Sequence, residues 1–247
     1  MKLHVLGSSS SGNAYLLRSE TTGAVLAIEA GVRFSCIKKA LGFDISNIKG
    51  LVATHRHGDH TGCIKGYIDA GIPTYVIEDV ISHRKLEGCY NVHEVKLRRP
   101  FHVGAFSIIA FEVMHDVPCV GFLIKHEECG TVLFATDTYY LTNRFSGLNN
   151  ILIECNYRLD ILNANTDAGI ISPVRRSRTI KSHMSYETCL ETLQANDLSE
   201  VNNIMLIHLS PDNSHASEFV RGIHAATGKT VLAASKGMII DFNKTPY

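Results

Sequence analysis

The chain has 247 residues, 45% of them apolar and 19% charged, which suits a globular enzyme able to bury most of its unfolded surface. Its 24 basic side chains balance 24 acidic ones, so no global field draws it to a polyanion, and any such contact needs a local patch. No apolar run reaches the roughly 18–20 residues of a membrane span, MKLHVLGSSSSG (1–12) is too weakly apolar for a secretory leader, and seven cysteines with no C-x-x-C pair fit a reduced, cytoplasmic chain.

Taken in order, short apolar runs predict strands at 2–7 (KLHVLG), 14–18 (AYLLR) and 24–30 (AVLAIEA). Helical periodicity follows at 36–42, then a strand at 50–54 (GLVAT), a helix at 61–71 and a strand at 73–77. Strands are expected next at 105–113, 120–126, 131–136 and 150–155. A helix at 185–196 is capped by Ser185, a strand covers 203–208, a helix at 217–228 opens on Ser217, and strands at 230–234 and 237–242 close the series. Many strands with interspersed helices imply sheet layers covered by helices. No linker divides the chain, so one domain over 1–247 is expected.

GSSSSG (7–12) has the G-x-x-x-x-G spacing of a phosphate-cradling loop. Asn13 and Ala14 stand where that loop needs Lys and Ser or Thr. A tight connection between two strands is the better reading.

The dense chemistry lies in THRHGDHTG (54–62), where His55, His57, Asp59 and His60 crowd a strand-to-helix turn. His55 and His57 can point to one side if the turn stays extended, while Asp59 and His60 begin the helix and approach from another direction. Imidazole and carboxylate together suit zinc, manganese or iron. A lone histidine is usually a packed or surface residue, but packing does not explain this spacing. Further ligands are expected from His115, Asp137 and His208, each just past an apolar run. The other histidines (His4, His83, His93, His102, His126, His215 and His224) lack this placement and read as surface or packing residues.

H-x-H-x-D-H followed by a lone His, Asp and His on successive strand ends resembles the metal motif of the metallo-β-lactamase-fold hydrolases, over nearly the whole chain. The resemblance implies an α/β fold, a four-layer αββα sandwich, and two divalent metal ions (zinc, manganese or iron). One metal would take His55, His57 and His115, the other Asp59, His60 and His208, with Asp137 bridging; Asp59 also belongs to the implied catalytic set. The family usually has Asp at the end of the third strand, where this chain has Glu29.

Asp137 stands where true β-lactamases usually carry Cys. The 71 positions from Asp137 to His208 leave no room for the large domain inserted in RNase J-type and cleavage-factor nucleases, and the 22 from His115 to Asp137 none for the arm of long-form tRNA-processing enzymes. The chain is similar to the YycJ-like exonuclease branch in GSSSSGNAYLL (7–17), MHDVPCVGF (114–122), ATDTYYL (135–141), IECNYRLDIL (153–162), SHMSYE (182–187) and IHLSPDNS (207–214), although Ser182 stands where that branch more often has Gly. The resemblance also implies that His183 works near the scissile phosphate as a general acid with Glu154 as its carboxylate partner. RRSRTIK (175–181), by itself a solvated charge cluster in a loop, would then place Arg178 or Lys181 on flanking phosphates. The expected function is two-metal hydrolysis of a phosphodiester by a DNA nuclease. The alternatives are a phosphodiesterase of small cyclic or dinucleotides, a thioester or lactone hydrolase, and a metal-binding scaffold with an idle site.

Overall fold

Side chains along a strand point alternately to two faces, and in the middle strands of this chain both faces are apolar. The computed structural model describes residues 1–246. It runs β1 (Lys2–Gly7), β2 (Ala14–Arg18), β3 (Val25–Ile28), α1 (Phe34–Ala40), β4 (Ile48–Val52), α2 (Gly58–Thr61), α3 (Lys65–Asp69), β5 (Thr74–Val76), α4 (Glu78–Arg84), β6 (Val92–Glu94) and β7 (Pro100–Val103). There follow β8 (Phe106–Glu112), β9 (Val120–His126), β10 (Gly130–Ala135), β11 (Asn150–Glu154), α5 (Leu159–Asp167), α6 (Pro173–Ser182), α7 (Tyr186–Gln194), β12 (Asn203–Ile207), α8 (Ala216–Thr227), β13 (Thr230–Ala233) and β14 (Ile239–Asp241).

Two seven-stranded sheets result, ordered β14-β1-β2-β3-β4-β5-β6 and β13-β12-β11-β10-β9-β8-β7. Each is antiparallel on one side and parallel on the other, with β3 to β6 and β10 to β13 the parallel runs. Val132 and Phe134 of β10, Leu152 of β11 and Met205 and Ile207 of β12 join Leu3, Val5, Leu26 and Val52 in the core between the sheets. Their neighbours Leu133, Ile151, Ile153, Ile204 and Leu206 turn the other way, onto Cys189 and Leu193 of α7 and Phe219 and Ile223 of α8. Ile37, Tyr67 and Val80 of α1, α3 and α4 cover the first sheet. The layers are therefore αββα. Tyr15 meets Phe134 edge-on at 5.6 Å, joining β2 of one sheet to β10 of the other. No helix of the described residues is long and apolar enough to cross a membrane.

Three local expectations are corrected. The helix expected at 61–71 is two short ones, because the Cys63 N–H donates to the Ala30 carbonyl (2.8 Å) rather than back along a helix. RRSRTIK is not a loop but the body of α6, with Ser172 accepting from the Arg175 N–H and Pro173 at the first helical position. Finally, α8 starts at Ala216 behind His215, so Ser217 lies inside the first turn and does not cap it. Helices α4 and α5 and strands β6 and β7 were not anticipated; the two strands, of three and four residues, are too short to show a periodicity.

Phe134 is fully buried against Tyr15. Phe134→Ala should lower unfolding free energy by about 3–5 kcal/mol in urea titrations. A loss under about 1 kcal/mol would mean that the sheets do not pack through this contact.

Candidate metal centre

The parallel strands all end at one rim, where open α/β sheets present their chemistry. Glu29 follows β3, Thr54 and His55 follow β4, Asp137 follows β10, Glu154 ends β11, and His208 follows β12. Glu29, Asp137 and His208 have positive φ values of 68°, 50° and 55°. Non-glycine residues adopt that conformation at a cost unless their surroundings hold it, so the backbone is strained at these three positions of the rim.

Backbone hydrogen bonds tie the histidine-rich turn down. The Asn13 N–H donates to the Asp59 carbonyl (2.8 Å) and the Ala30 N–H to the His60 carbonyl (2.6 Å). A Cβ on Gly31 would come within 1.7 Å of the Asp59 carbonyl, so only glycine lets the two segments approach. The GSSSSG segment connects β1 to β2, as expected. Its Ser8 Oγ accepts from the His208 N–H (2.9 Å) and from the Tyr15 hydroxyl (2.8 Å), which fixes the end of β12.

His55 Nε2, His57 Nδ1 and His115 Nε2 converge, with 3.0 Å between the first two and 3.2 Å between His115 and His57. Nitrogens bound about 2.0–2.1 Å from a tetrahedral zinc stand roughly 3.3 Å apart, so this spacing fits a shared cation. Asp59, His60 and His208 form a second group: His60 Nε2 lies 3.3 Å from Asp59 Oδ2, and His208 Nε2 lies 3.5 Å from the same oxygen. The buried His208 Nε2 has no hydrogen-bond partner. Asp137 stands between the groups, with Oδ2 3.0 Å from His60 Nε2 and ligand atoms within reach of both His55 and His60. All seven residues singled out as ligands in the sequence are thus brought together, and their donor set fits two divalent cations.

Charge supports the same fit. Glu29, Asp137 and Glu154 are buried, and Asp59 is mostly so. Among the described residues, these carboxylates are met by histidines, amides and hydroxyls, with no lysine or arginine in ion-pair contact. Burial opposes a charged imidazole at His208, yet the Asp137, Asp59 and Glu154 carboxylates outweigh it and push its pKa up to about 10. His60 is raised in the same way, against burial, by Asp137 and Glu29. His55 is lowered by burial and by the charge on His60.

Glu29, just past β3, faces both groups of histidines. Its Oε1 accepts from Thr54 Oγ1 (2.6 Å), which lies 2.9 Å from His55 Nδ1, and the same Oε1 is 3.3 Å from His60 Nδ1. One carboxylate therefore faces a histidine of each group, directly or through Thr54, as outer partners of ligands do. Asp116, not anticipated, lies 3.1 Å from His115 Nε2 and 3.4 Å from His57 Nε2. Asn13, Thr54 and Asn156 were also missed. Each adjoins a singled-out residue in sequence or in space, but nothing in residue type alone marks it.

His183 follows α6 and is placed by β-like contacts, with the Asn156 N–H donating to the Met184 carbonyl (2.9 Å) and the Tyr186 N–H to the Tyr157 carbonyl (2.7 Å). Its Nδ1 lies 2.7 Å from Glu154 Oε1, and burial is outweighed by that carboxylate, so its pKa is raised. Glu154 is more than a partner to His183. The same Oε1 lies 2.9 Å from His208 Nδ1, while Oε2 accepts from the Thr138 and Met184 N–H groups (3.0 and 3.2 Å). Asp137, Glu154, His183 and His208 also form a possible ligand group in their own right. A cavity of about 420 Å³ opens here, lined by His57, Asp59, His115, Asp137, His183 and His208, with Ser10, Arg175, Arg178 and Ser210 on its walls. Arg178 reaches within 3.7 Å of Asp116. Lys181 is exposed in the last turn of α6 and does not line the cavity.

The geometry agrees with what comparison with known proteins finds. A family model described as a beta-lactamase superfamily domain matches residues 35–209. The chain is 26% identical over 237 residues to "Exodeoxyribonuclease YycJ" of Bacillus anthracis, covering 87% of this chain and 85% of that protein. Its fold is similar to the metallo-beta-lactamase fold protein YhfI from Bacillus subtilis, with a TM-score of 0.71 at 17% identity over 97% of this chain and 98% of that one. It is also similar to Zn(2+)-bound PqqB from Methylobacterium extorquens, with a TM-score of 0.73 at 13% identity over 98% and 100% of the two chains.

Imidazoles must be neutral to ligate a metal, so cation binding here displaces protons. The sign follows from the raised pKa of His60 and His208: near pH 8, below the value of about 10 at His208, that imidazole is protonated until a metal enters, and the Asp137 and Glu29 carboxylates shift His60 in the same direction. Calorimetric titration of chelator-stripped protein with zinc, in buffers of different ionisation enthalpy, should show proton release near pH 8 that fades above about pH 10. Affinity should fall as pH is lowered. Binding with no proton release would contradict the assignment of His60 and His208 as ligands.

Proposed function

The chain belongs to the beta-lactamase superfamily as a metal-dependent hydrolase, and we propose that it hydrolyses phosphodiesters with two divalent metals, acting on DNA. The observation that carries this reading is the His183–Glu154 contact at 2.7 Å beside the proposed ligands. A thioester expels a thiolate that leaves without a proton, whereas a phosphodiester expels an alkoxide that needs one. The relative of Bacillus anthracis, an exodeoxyribonuclease by name, supports the same substrate class.

Divalent cations held by His55, His57, His115, Asp59, His60, His208 and the bridging Asp137 would lower the pKa of a water and polarise the phosphate. Zinc and manganese both suit these donors, and the zinc-bound structural relative favours the former. The protein's own residues do the rest. Glu154 takes His183 Nδ1, which leaves Nε2 as the free ring nitrogen of a residue that lines the cavity. As water oxygen adds to phosphorus and the P–O bond breaks, the Nε2 proton passes to the leaving oxygen. Arg175 and Arg178, on the cavity wall, bind the flanking phosphates. Lys181, lying outside the cavity, has no part in this reading.

A phosphodiesterase of small nucleotides is the second reading, favoured by zero net charge and a cavity on the scale of one small molecule.

His183→Ala removes no proposed ligand, so two metals should remain by elemental analysis. Turnover of a diester with a poor leaving group should fall about 10²–10⁴-fold, while a nitrophenyl diester, which hardly needs protonation, should suffer far less. Equal losses on both substrates would show that His183 positions rather than protonates. Glu154→Gln should lose metal as well as turnover, because its Oε1 also holds His208.

A further inference from the structure

Next to the centre along the chain lies exposed apolar surface that the core does not use. Met114, Tyr139 and Tyr140 are 41%, 40% and 49% exposed. They adjoin the centre in sequence, Met114 preceding His115 and the tyrosines following Asp137. Among the described residues, neither tyrosine ring stacks on another ring and neither hydroxyl has a hydrogen-bond partner.

Their backbone, by contrast, is pinned. The Tyr139 N–H donates to the Met114 carbonyl (3.1 Å), the Met114 N–H to Thr138 Oγ1 (3.0 Å), and that hydroxyl to the Tyr140 carbonyl (2.7 Å). The Thr138 N–H ends on Glu154 Oε2 (3.0 Å), the carboxylate that also holds His183. The same 114–116 segment meets α6 on its other side, where His115 Nδ1 lies 3.0 Å from the Ser182 carbonyl and Asp116 lies 3.7 Å from Arg178. Arg178 and the two tyrosines thus flank one short segment, 114–116, whose His115 lines the cavity.

A cavity of about 420 Å³ takes a group of nucleotide size, so residues of a longer substrate must lie on the rim. With Arg175 and Arg178 the only lysine or arginine side chains on the cavity wall among the described residues, few phosphates are neutralised and counterion release supplies a limited share of affinity. Base stacking on exposed aromatic rings supplies affinity without charge and without sequence preference. We propose that Tyr139 and Tyr140, backed by Met114, form a stacking platform for the unpaired bases beside the scissile phosphate. The substrate is then a single-stranded polynucleotide segment rather than a cyclic or dinucleotide. This rests on the phosphodiester reading of the site.

The test compares wild type with Y139A/Y140A, Y139L/Y140L and Y139F/Y140F. It measures anisotropy of a labelled oligothymidylate, KM and kcat on that oligonucleotide, and hydrolysis of bis(p-nitrophenyl) phosphate. The Ala and Leu variants should weaken binding about tenfold or more and raise KM to match, while the Phe variant stays within roughly twofold of wild type. The salt dependence of binding should not change, since no charge is removed. Ala binding as tight as wild type, or Leu as good as Tyr, would overturn the platform. If wild type still cleaves bis(p-nitrophenyl) phosphate in that case, the phosphodiester reading stands while the platform falls. If wild type neither cleaves the diester nor binds the oligonucleotide, both fall together.

Discussion

Four carboxylates held close together, three of them buried, are the constraint on which the rest of this structure depends. Like charges in a low-dielectric site repel strongly, and burying each one costs more than a single neutral partner returns. No lysine or arginine makes an ion pair with any of the four among the described residues, so histidines stand opposite them. Without metal, His60 and His208 balance the site only by holding protons, which is why their pKa values rise. Divalent cations answer the same demand with the imidazoles neutral.

The fold makes that crowding possible by bringing parallel strands from two sheets to one rim. The loops between strand and helix then need no long excursions, and each functional residue lies within a few positions of a strand end. Backbone strain at Glu29, Asp137 and His208 is held by the hydrogen bonds around them. Glu154 shows how closely the parts depend on one another. A single carboxylate orients the proposed acid His183, braces His208 and receives the backbone beneath Tyr139, so acid, ligand and rim share one anchor.

Much of this was legible in the sequence. Apolar runs marked most strands of both sheets because burial on both faces leaves a continuous apolar stretch in the sequence, and H-x-H-x-D-H is too dense for packing to explain. His115, Asp137 and His208 could be picked out because each terminates an apolar run. The part that stayed hidden has a physical cause. Helix α6 was obscured because RRSRTIK has no apolar stripe, although Ser172 and Pro173 marked its start. Asn13, Thr54 and Asp116 act through contacts made only in three dimensions, so composition and spacing say nothing of them. The double duty of Glu154 is of the same kind: sequence distance to His208 is 54 positions, while its Oε1 is 2.9 Å from that ring.

Two assignments compete for the same side chains, because Asp137, Glu154, His183 and His208 could themselves hold a cation. Anomalous diffraction from metal-loaded crystals, recorded at the metal edge, decides between them. The present account predicts two peaks, one among His55, His57 and His115 and one among Asp59, His60 and His208, with Asp137 touching both and His183 touching neither. A peak coordinated by His183 and Glu154 would contradict it, since a histidine bound to metal through that site cannot serve as the acid.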